Sequence, residues 1–109
     1  MFARMIELTA KAGRGKELTK TMAERSLQVL RQQQGFVDAI TLVTATDQDK
    51  VVGISIWNSK ADADRFAQGQ SQQLLDSYRQ LLQAEPDVRS LNVESSTIHD
   101  SASRSAAAR

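Results

Sequence analysis

The only tryptophan of the chain and its small neighbours form the clearest candidate binding site. Trp57 ends a strand-like segment that leads into a helix, where an indole can stack on a flat aromatic ligand. Gly53 and Ser55 share its strand face by two-residue alternation, and their small size leaves space above that face. Each residue also fits a simpler interpretation, because large aromatics commonly serve packing alone and a glycine can mark the close approach of a helix.

Two aromatic residues of the second helical region extend this candidate site. Phe66 and Tyr78 lie on its inward apolar stripes, and the Tyr78 hydroxyl can pair with an oxygen of a buried ligand. Such stripes often serve only the core. The sequence therefore predicts an apolar pocket for a small hydrophobic or aromatic ligand, with a fully packed interior as the alternative.

Other kinds of site are disfavoured. The chain has no cysteine, and its one histidine, His99, has no second histidine with which to build a usual transition-metal site or a hydrolase triad. The segment Gly13-Arg14-Gly15-Lys16 lacks the spacing and the Ser/Thr of a phosphate-binding loop. A tight turn is the better interpretation of this segment.

Composition indicates one globular domain. The 109 residues are 40% hydrophobic and 25% charged, with a net charge of +1. Acidic and basic residues are interspersed, so nucleic acid and anionic membranes are not expected partners. No apolar run resembles a leader or a membrane span, and together with the lack of cysteine this predicts a cytoplasmic protein.

Periodicity and turn residues predict the order βαββαβ. The predicted elements are a strand at 2–10, a helix at 16–34 ended by Gly35, a hairpin of strands 36–44 and 50–57, a helical region capped by Ser59 and broken near Gly69, and a final strand at 88–98. This order is the split βαβ motif, an α+β ferredoxin-like fold with a four-stranded antiparallel sheet and helices on one face. The domain is expected to span residues 1–98, with residues 99–109 as a disordered tail.

Both faces of the predicted sheet are apolar. Strand three offers Val52, Ile54 and Ile56 to one face and Val51 and Trp57 to the other, while strand two offers Phe36, Ile40 and Leu42 against Val37, Ala39 and Val43. Two helices cover only one face, and an exposed apolar face of that size is unusual in a monomer. We therefore expect a homodimer that packs through its sheet faces.

Three short segments together resemble the antibiotic biosynthesis monooxygenase family of the dimeric α/β-barrel superfamily. They are residues 12–16 after strand one, Gly35-Phe36 before strand two, and residues 57–66 from strand three into the second helical region. The resemblance implies a dimeric barrel with a ligand cavity between the sheet and the helices of each subunit. In some relatives a phenol or quinol is oxidised by O₂ without metal or flavin, so no cofactor is expected.

A haem-degrading branch of the same family uses an Asn, a Trp and a His. Trp57 matches the Trp, but Ile6 and Ala67 stand near the positions of the other two, which argues against haem degradation. The leading hypothesis is a cofactor-independent monooxygenase that oxidises a flat phenol or quinol, with Arg4, Arg65 or Arg79 stabilising a substrate anion. The rival hypothesis is a dimeric binding or interaction protein without catalytic activity.

Overall fold

The computed structural model describes residues 1–97 and has the predicted ferredoxin-like fold. Its four strands form an antiparallel sheet in the order β2-β3-β1-β4. The elements are β1 (Phe2–Thr9), α1 (Gly15–Thr21), a π turn (Met22–Ser26), α2 (Leu27–Arg31), β2 (Phe36–Thr44), β3 (Asp47–Trp57), α3 (Lys60–Gln68), α4 (Gln70–Asp76), a 3₁₀ turn (Arg79–Leu81) and β4 (Asp87–Asn92). The helices cover one face of the sheet.

The first helix is continuous from α1 through the π turn into α2, because the residues at both junctions keep right-handed helical angles. Apart from Gly15, its buried residues recur at intervals of four: Leu18, Met22, Ser26 and Leu30. An interval of four exceeds the 3.6 residues of an α-helical turn, so the stripe of a regular helix would rotate away from the sheet. The wider π turn offsets part of that rotation.

This helix is shorter than predicted. It ends at Arg31, and Gly35 lies beyond it in the turn before β2, with φ of 80°. A left-handed φ suits glycine, and a β-carbon there would also overlap the Asp62 side chain. Gly35 therefore shapes the turn into β2 and does not cap the helix directly.

The predicted hairpin is confirmed, with two differences. β3 begins at Asp47, three residues earlier than predicted, so the connection from β2 is only two residues long. In β2 a bulge separates Phe36 from Asp38, which pair with Trp57 and Ile56 respectively. The extra residue reverses the predicted face of Phe36, because it now lies beside Trp57 on the helix side of the sheet.

The second helical region follows its predicted signals. Ser59 caps α3, with its Oγ accepting a hydrogen bond from the Asp62 backbone N–H at 3.2 Å and donating one to the Asp62 carboxylate at 2.9 Å. α3 ends at Gln68 and α4 begins at Gln70, with Gly69 between them, as expected from the predicted break near Gly69. α4 stops at Asp76 and a 3₁₀ turn carries the chain to Leu81.

The last strand is shorter than predicted. β4 spans Asp87–Asn92 and pairs with β1. Beyond this strand, the backbone N–H of Val93 donates a hydrogen bond to the carbonyl oxygen of Met1. Ile98, His99 and the predicted tail at 99–109 lie outside the described residues. Within residues 1–97, no helix is long and apolar enough to cross a bilayer.

The glycine-rich turn after β1 is held by a carboxylate of the hairpin. Asp49 accepts hydrogen bonds from the backbone N–H groups of Gly13 at 3.0 Å and Gly15 at 2.9 Å. A β-carbon on Gly15 would lie 2.0 Å from the Gln48 carbonyl oxygen, so only glycine fits. The N–H groups that a phosphate would need are therefore already used, in agreement with a tight turn.

Candidate functional site

The interior contains two hydrophobic clusters, with the half-buried Leu74 packed against both and a cavity between them. One cluster is aromatic and includes Phe2, Trp57 and Phe66, while the other surrounds Leu8 and Tyr78. The cavity is lined by Arg4, Ile6, Leu8, Met22, Ser26, Leu27, Leu30, Ala39, Ile40, Thr41, Gly53, Ile54, Ser55, Phe66, Ser71, Leu74, Leu75 and Tyr78. The volume open to the centre of a water molecule is about 70 Å³, enough for a few waters.

Arg4 is the only charged residue that the described part of the chain contributes to the wall of this cavity. It occupies an inward position of β1, between Phe2 and Ile6, and its guanidinium carbon lies 5.5 Å from the centre of the Phe66 ring. No hydrogen bond or ion pair joins its side chain to any other residue in the described part of the chain. Burial lowers the pKa of Arg4 from its usual value, because desolvation disfavours the charged form.

A pair of hydroxyl groups forms the second polar feature of the cavity. The Ser26 and Tyr78 hydroxyls are hydrogen-bonded to each other, and both residues are buried. Ser26 ends the π turn, which places its side chain on the inward stripe of the helix. Burial raises the pKa of Tyr78 well above its ordinary value, and the nearby Arg25 only partly opposes that effect. The Tyr78 phenol is therefore neutral and available as a donor at neutral pH.

Trp57 lies behind the cavity wall, not on its surface. Its side chain is fully buried, stacks on Phe66 with ring centroids 5.2 Å apart, and meets the edge of Phe36 at 5.7 Å. Its indole Nε1 donates a hydrogen bond to Oγ of Ser55 at 2.9 Å. Trp57 thus reaches the cavity through Ser55 and Phe66, both of which line it.

The remaining site residues of the prediction lie in the wall itself. Gly53 forms part of the sheet floor, where an added β-carbon would stand 3.1 Å from a methyl of Ile6 and 3.3 Å from the terminal methyl of Met22. The cavity therefore exists partly because this floor position has no side chain. Ser71 on α4 also lines it and, within residues 1–97, makes no side-chain hydrogen bond.

Sequence reasoning identified four wall residues and missed others. Gly53, Ser55, Phe66 and Tyr78 line one cavity, while their role in binding a substrate stays a prediction. Arg4 was named only as one of three arginines; its signal is a charged residue on the inward side of an otherwise apolar strand. Ser26 and Ser71 were not among the predicted site residues.

The other two arginines are used elsewhere. Arg65 pairs with Asp62 at 2.9 Å, and Arg79 pairs with Asp76 and Glu85 at 2.8 Å each. Neither lines the cavity. Of the two positions compared with the haem-degrading branch, Ile6 lines the cavity and Ala67 does not. No group of three potential metal ligands occurs among residues 1–97.

Solved structures with the same fold are numerous, although their sequences are distant. The cofactor-independent oxygenase SnoaB from Streptomyces nogalater, solved as a point mutant, is 18% identical with a TM-score of 0.74, over 88% of this chain and 95% of that one. A Streptomyces coelicolor monooxygenase solved with nanaomycin D is also 18% identical, with a TM-score of 0.73 over 87% of this chain and 88% of that one. At such identities the likeness establishes the fold.

A third structure, a protein of unknown function from Nitrosomonas europaea, is 18% identical with a TM-score of 0.75, over 88% of this chain and 91% of that one. A search of curated proteins finds no match to the sequence. Among protein families, the one described as antibiotic biosynthesis monooxygenase matches residues 1–74, more than half of the chain. This match includes β1, β3 and α3, which carry Arg4, Trp57 and Phe66. The chain therefore belongs to the antibiotic biosynthesis monooxygenase family.

Proposed function

We propose that this protein is a cofactor-independent monooxygenase that oxidises a flat aromatic phenol or quinol in the cavity between its sheet and helices. The observation that supports this proposal most directly is the Arg4 guanidinium, which faces an apolar cavity beside Phe66 without a carboxylate partner in residues 1–97. A lone cation in an apolar wall favours the anionic form of a bound ligand, because the surroundings screen its charge weakly.

The chemistry asks little of the protein beyond binding and positive charge. An electron-rich substrate that has lost its hydroxyl proton to solvent can transfer an electron from its anion to O₂ directly, so the pocket has to orient the ring, exclude water and stabilise the anion. The apolar side chains of Ile6, Leu30 and Leu74 provide the dry surroundings, and Phe66 provides a flat surface for the ring. Trp57 acts indirectly in this proposal, since it fixes Phe66 by stacking and Ser55 by a hydrogen bond.

An aromatic ligand requires the cavity to widen. A cavity of about 150 Å³ holds one benzene ring in a well-studied engineered protein, whereas this one measures about 70 Å³. Thr41, a wall residue on the helix side of the edge strand β2, is exposed, so the cavity reaches the surface there. Leu27, Leu74 and Leu75 are only half-buried and can change rotamer to admit a ring.

Oxygen uptake tests the proposed activity. Purified protein is mixed with a panel of reduced polycyclic phenols and quinols, and O₂ consumption is followed above the rate of autoxidation. Wild-type protein should accelerate uptake for at least one compound, and Arg4→Gln should reduce that acceleration about tenfold or more by removing the charge. Arg65→Gln is the matched control, because Arg65 is exposed and paired with Asp62. Saturable quenching of Trp57 fluorescence without oxygen uptake would instead favour the binding protein.

We also propose that two copies associate through their sheet faces. Ala3, Met5, Ile40, Leu42, Val52, Ile54, Ile56 and Leu91 lie on the face opposite the helices, as the strand pairing and alternation place them. Ile40, Leu42 and Leu91 are among the exposed large hydrophobic residues of the chain. A second copy presents the same apolar pattern, so one two-fold contact covers both faces.

A further inference from the structure

Residues 1–97 contribute a cation and neutral hydroxyl groups to the cavity wall, but no base. Its polar side chains are Arg4, Ser26, Thr41, Ser55, Ser71 and Tyr78. None is a carboxylate or an imidazole, and the hydroxyl of Tyr78 is held in its neutral form. A ligand that must lose a proton to become an anion therefore finds no acceptor of suitable pKa in this wall.

This absence limits which anions Arg4 can receive. A simple phenol has a pKa near 10 and arrives almost wholly neutral at neutral pH, whereas a carboxylic acid has a pKa of about 4 and arrives ionised. A carboxylate also matches the planar, forked donors of a guanidinium, with which it forms two parallel hydrogen bonds. The Arg4 side chain has all of these donors free of other residues within 1–97.

The two polar features lie toward different ends of the cavity. Arg4 contacts Phe66 of the aromatic cluster, whereas Tyr78 belongs to the cluster of Leu8. Arg4 and Leu8 are four residues apart on β1, which separates their α-carbons by about 13 Å. The floor between them contains Ile6 and Gly53 and is apolar. A ligand that satisfies both ends is therefore an aromatic ring with an acid group at one end and a hydroxyl at the other.

We propose that the natural substrate is a hydroxyaryl carboxylate, whose carboxylate binds Arg4 and whose ring hydroxyl is hydrogen-bonded by the Ser26–Tyr78 pair. This inference rests on the proposed function and names the substrate class of the same site. The carboxylate anchors the ring, so that its hydroxyl-bearing end lies at the far end of the cavity. Arg4 is then the residue that selects acids over neutral aromatics of equal size.

Matched ligands test the acid end. 4-Hydroxybenzoate and 4-hydroxybenzamide have nearly the same size and differ in charge, and binding of each is followed by quenching of Trp57 fluorescence. Wild-type protein should bind the acid at least about tenfold more tightly than the amide, as expected for a charge-assisted hydrogen bond. Arg4→Gln should bring the ratio close to one, and the control Arg65→Gln, which is exposed and paired with Asp62 away from the cavity, should leave it unchanged. Equal affinity in the wild-type protein, or failure of both ligands to bind, would overturn the proposal.

A second pair of ligands tests the hydroxyl end. Benzoate lacks the hydroxyl group of 4-hydroxybenzoate, so the affinity ratio of the two isolates the contact with Ser26 and Tyr78. Tyr78→Phe and Ser26→Ala should each reduce that ratio about threefold or more while leaving benzoate binding nearly unchanged. A ratio that neither variant alters would contradict the assigned orientation.

Failure of this inference is separable from failure of the proposed activity. Selective acid binding without oxygen uptake would remove the monooxygenase proposal and leave the ligand class in place. Oxygen uptake with neutral quinols and no preference for acids would remove the ligand class and leave the monooxygenase proposal in place. The acid-to-amide ratio is measured on the wild-type protein, so the test stands even if a variant folds poorly.

Discussion

The indole Nε1 of Trp57 donates its hydrogen bond to Oγ of Ser55, two residues earlier on the same face of β3, over 2.9 Å. The same hydroxyl faces the cavity, so a single serine links the fully buried tryptophan to the proposed ligand site. Trp57 is therefore an internal reporter of the cavity without being in its wall. Its fluorescence should respond to ligands through Ser55 and Phe66.

Removing the Ser55 hydroxyl should leave the Trp57 N–H buried without a partner. We expect Ser55→Ala to lower the free energy of unfolding by about 1–3 kcal/mol, the usual cost of an unsatisfied buried donor. Urea unfolding followed by Trp57 fluorescence measures this change. Ser95→Ala is the control, since Ser95 is exposed and makes no side-chain hydrogen bond within residues 1–97. Equal stability of Ser55→Ala and wild type would mean that water replaces the hydroxyl.

Filling the floor of the cavity should reduce ligand binding. The β-carbon of Gly53→Ala would lie 3.1 Å from Ile6 and 3.3 Å from Met22, contacts that small shifts of both side chains can relieve. We expect fluorescence titration to show about tenfold weaker binding of aromatic ligands, with a stability change of about 1 kcal/mol or less. Unchanged affinity would place the ligand away from Gly53.

The carboxylate of Asp49 should matter for stability and not for ligand binding. Asp49→Asn removes the charge and turns one acceptor into a donor that faces a backbone N–H of Gly13 or Gly15. We expect a loss of about 1–2 kcal/mol in unfolding free energy, since both bonds cross between distant segments. Glu24→Gln is the control, since Glu24 is exposed and makes no side-chain hydrogen bond or ion pair within residues 1–97. Full retention of stability would show that the turn is held by other contacts.

Part of this architecture was predictable because it follows from local rules. Alternation along β1 and β3, the turn glycines and the Ser59 cap each act over a few residues, and all of these predictions agree with the structure. The bulge in β2 has no such signal, since neither Phe36 nor Val37 marks it, and it moved Phe36 to the other face. The register of β2 is set by its fit against β3, which is a tertiary property.

The cavity also depends on long-range packing. Trp57 was predicted as a candidate wall residue, but its position behind Ser55 results from how α3 and β2 bring Phe66 and Phe36 against it. Likewise, no local sequence pattern indicates that the two hydrophobic clusters leave a cavity between them. The small and aromatic residues near the cavity could be named from the sequence. The size of the cavity and the position of Arg4 in its wall follow from the placement of the helices.

Tyr78 should make the protein less stable at alkaline pH. Its folded-state pKa is raised by burial, whereas in the unfolded chain it ionises near the ordinary value of 10.0. Above that pH the unfolded state loses a proton that the folded state keeps, so unfolding free energy falls by up to about 1.4 kcal/mol per pH unit. Below the ordinary tyrosine pKa, the contribution of Tyr78 to the unfolding free energy does not change with pH. Because Tyr78 is the only tyrosine, its absorbance titration is unambiguous. Tyr78→Phe should abolish this phase of the pH dependence; a folded-state pKa near 10 would contradict the burial argument.

The proposed dimer can be tested by two neighbouring residues of β2. Leu42 and Val43 are similarly exposed, at 47% and 45%, but alternation places Leu42 on the open face of the sheet and Val43 on the helix side. A symmetric contact would bury Leu42 in both copies, so Leu42→Asp introduces two desolvated charges and should weaken association at least about a hundredfold. Val43→Asp should leave it unchanged.

Light scattering after size-exclusion chromatography at micromolar concentration gives the mass of each variant. We expect a dimer for the wild type and for Val43→Asp, and a monomer for Leu42→Asp with its secondary structure retained by circular dichroism. If Val43→Asp dissociates and Leu42→Asp does not, the copies meet through the other side of the hairpin. A monomeric wild type would leave Ile40, Leu42 and Leu91 exposed in solution, and the open face would then have to be assigned to a different partner.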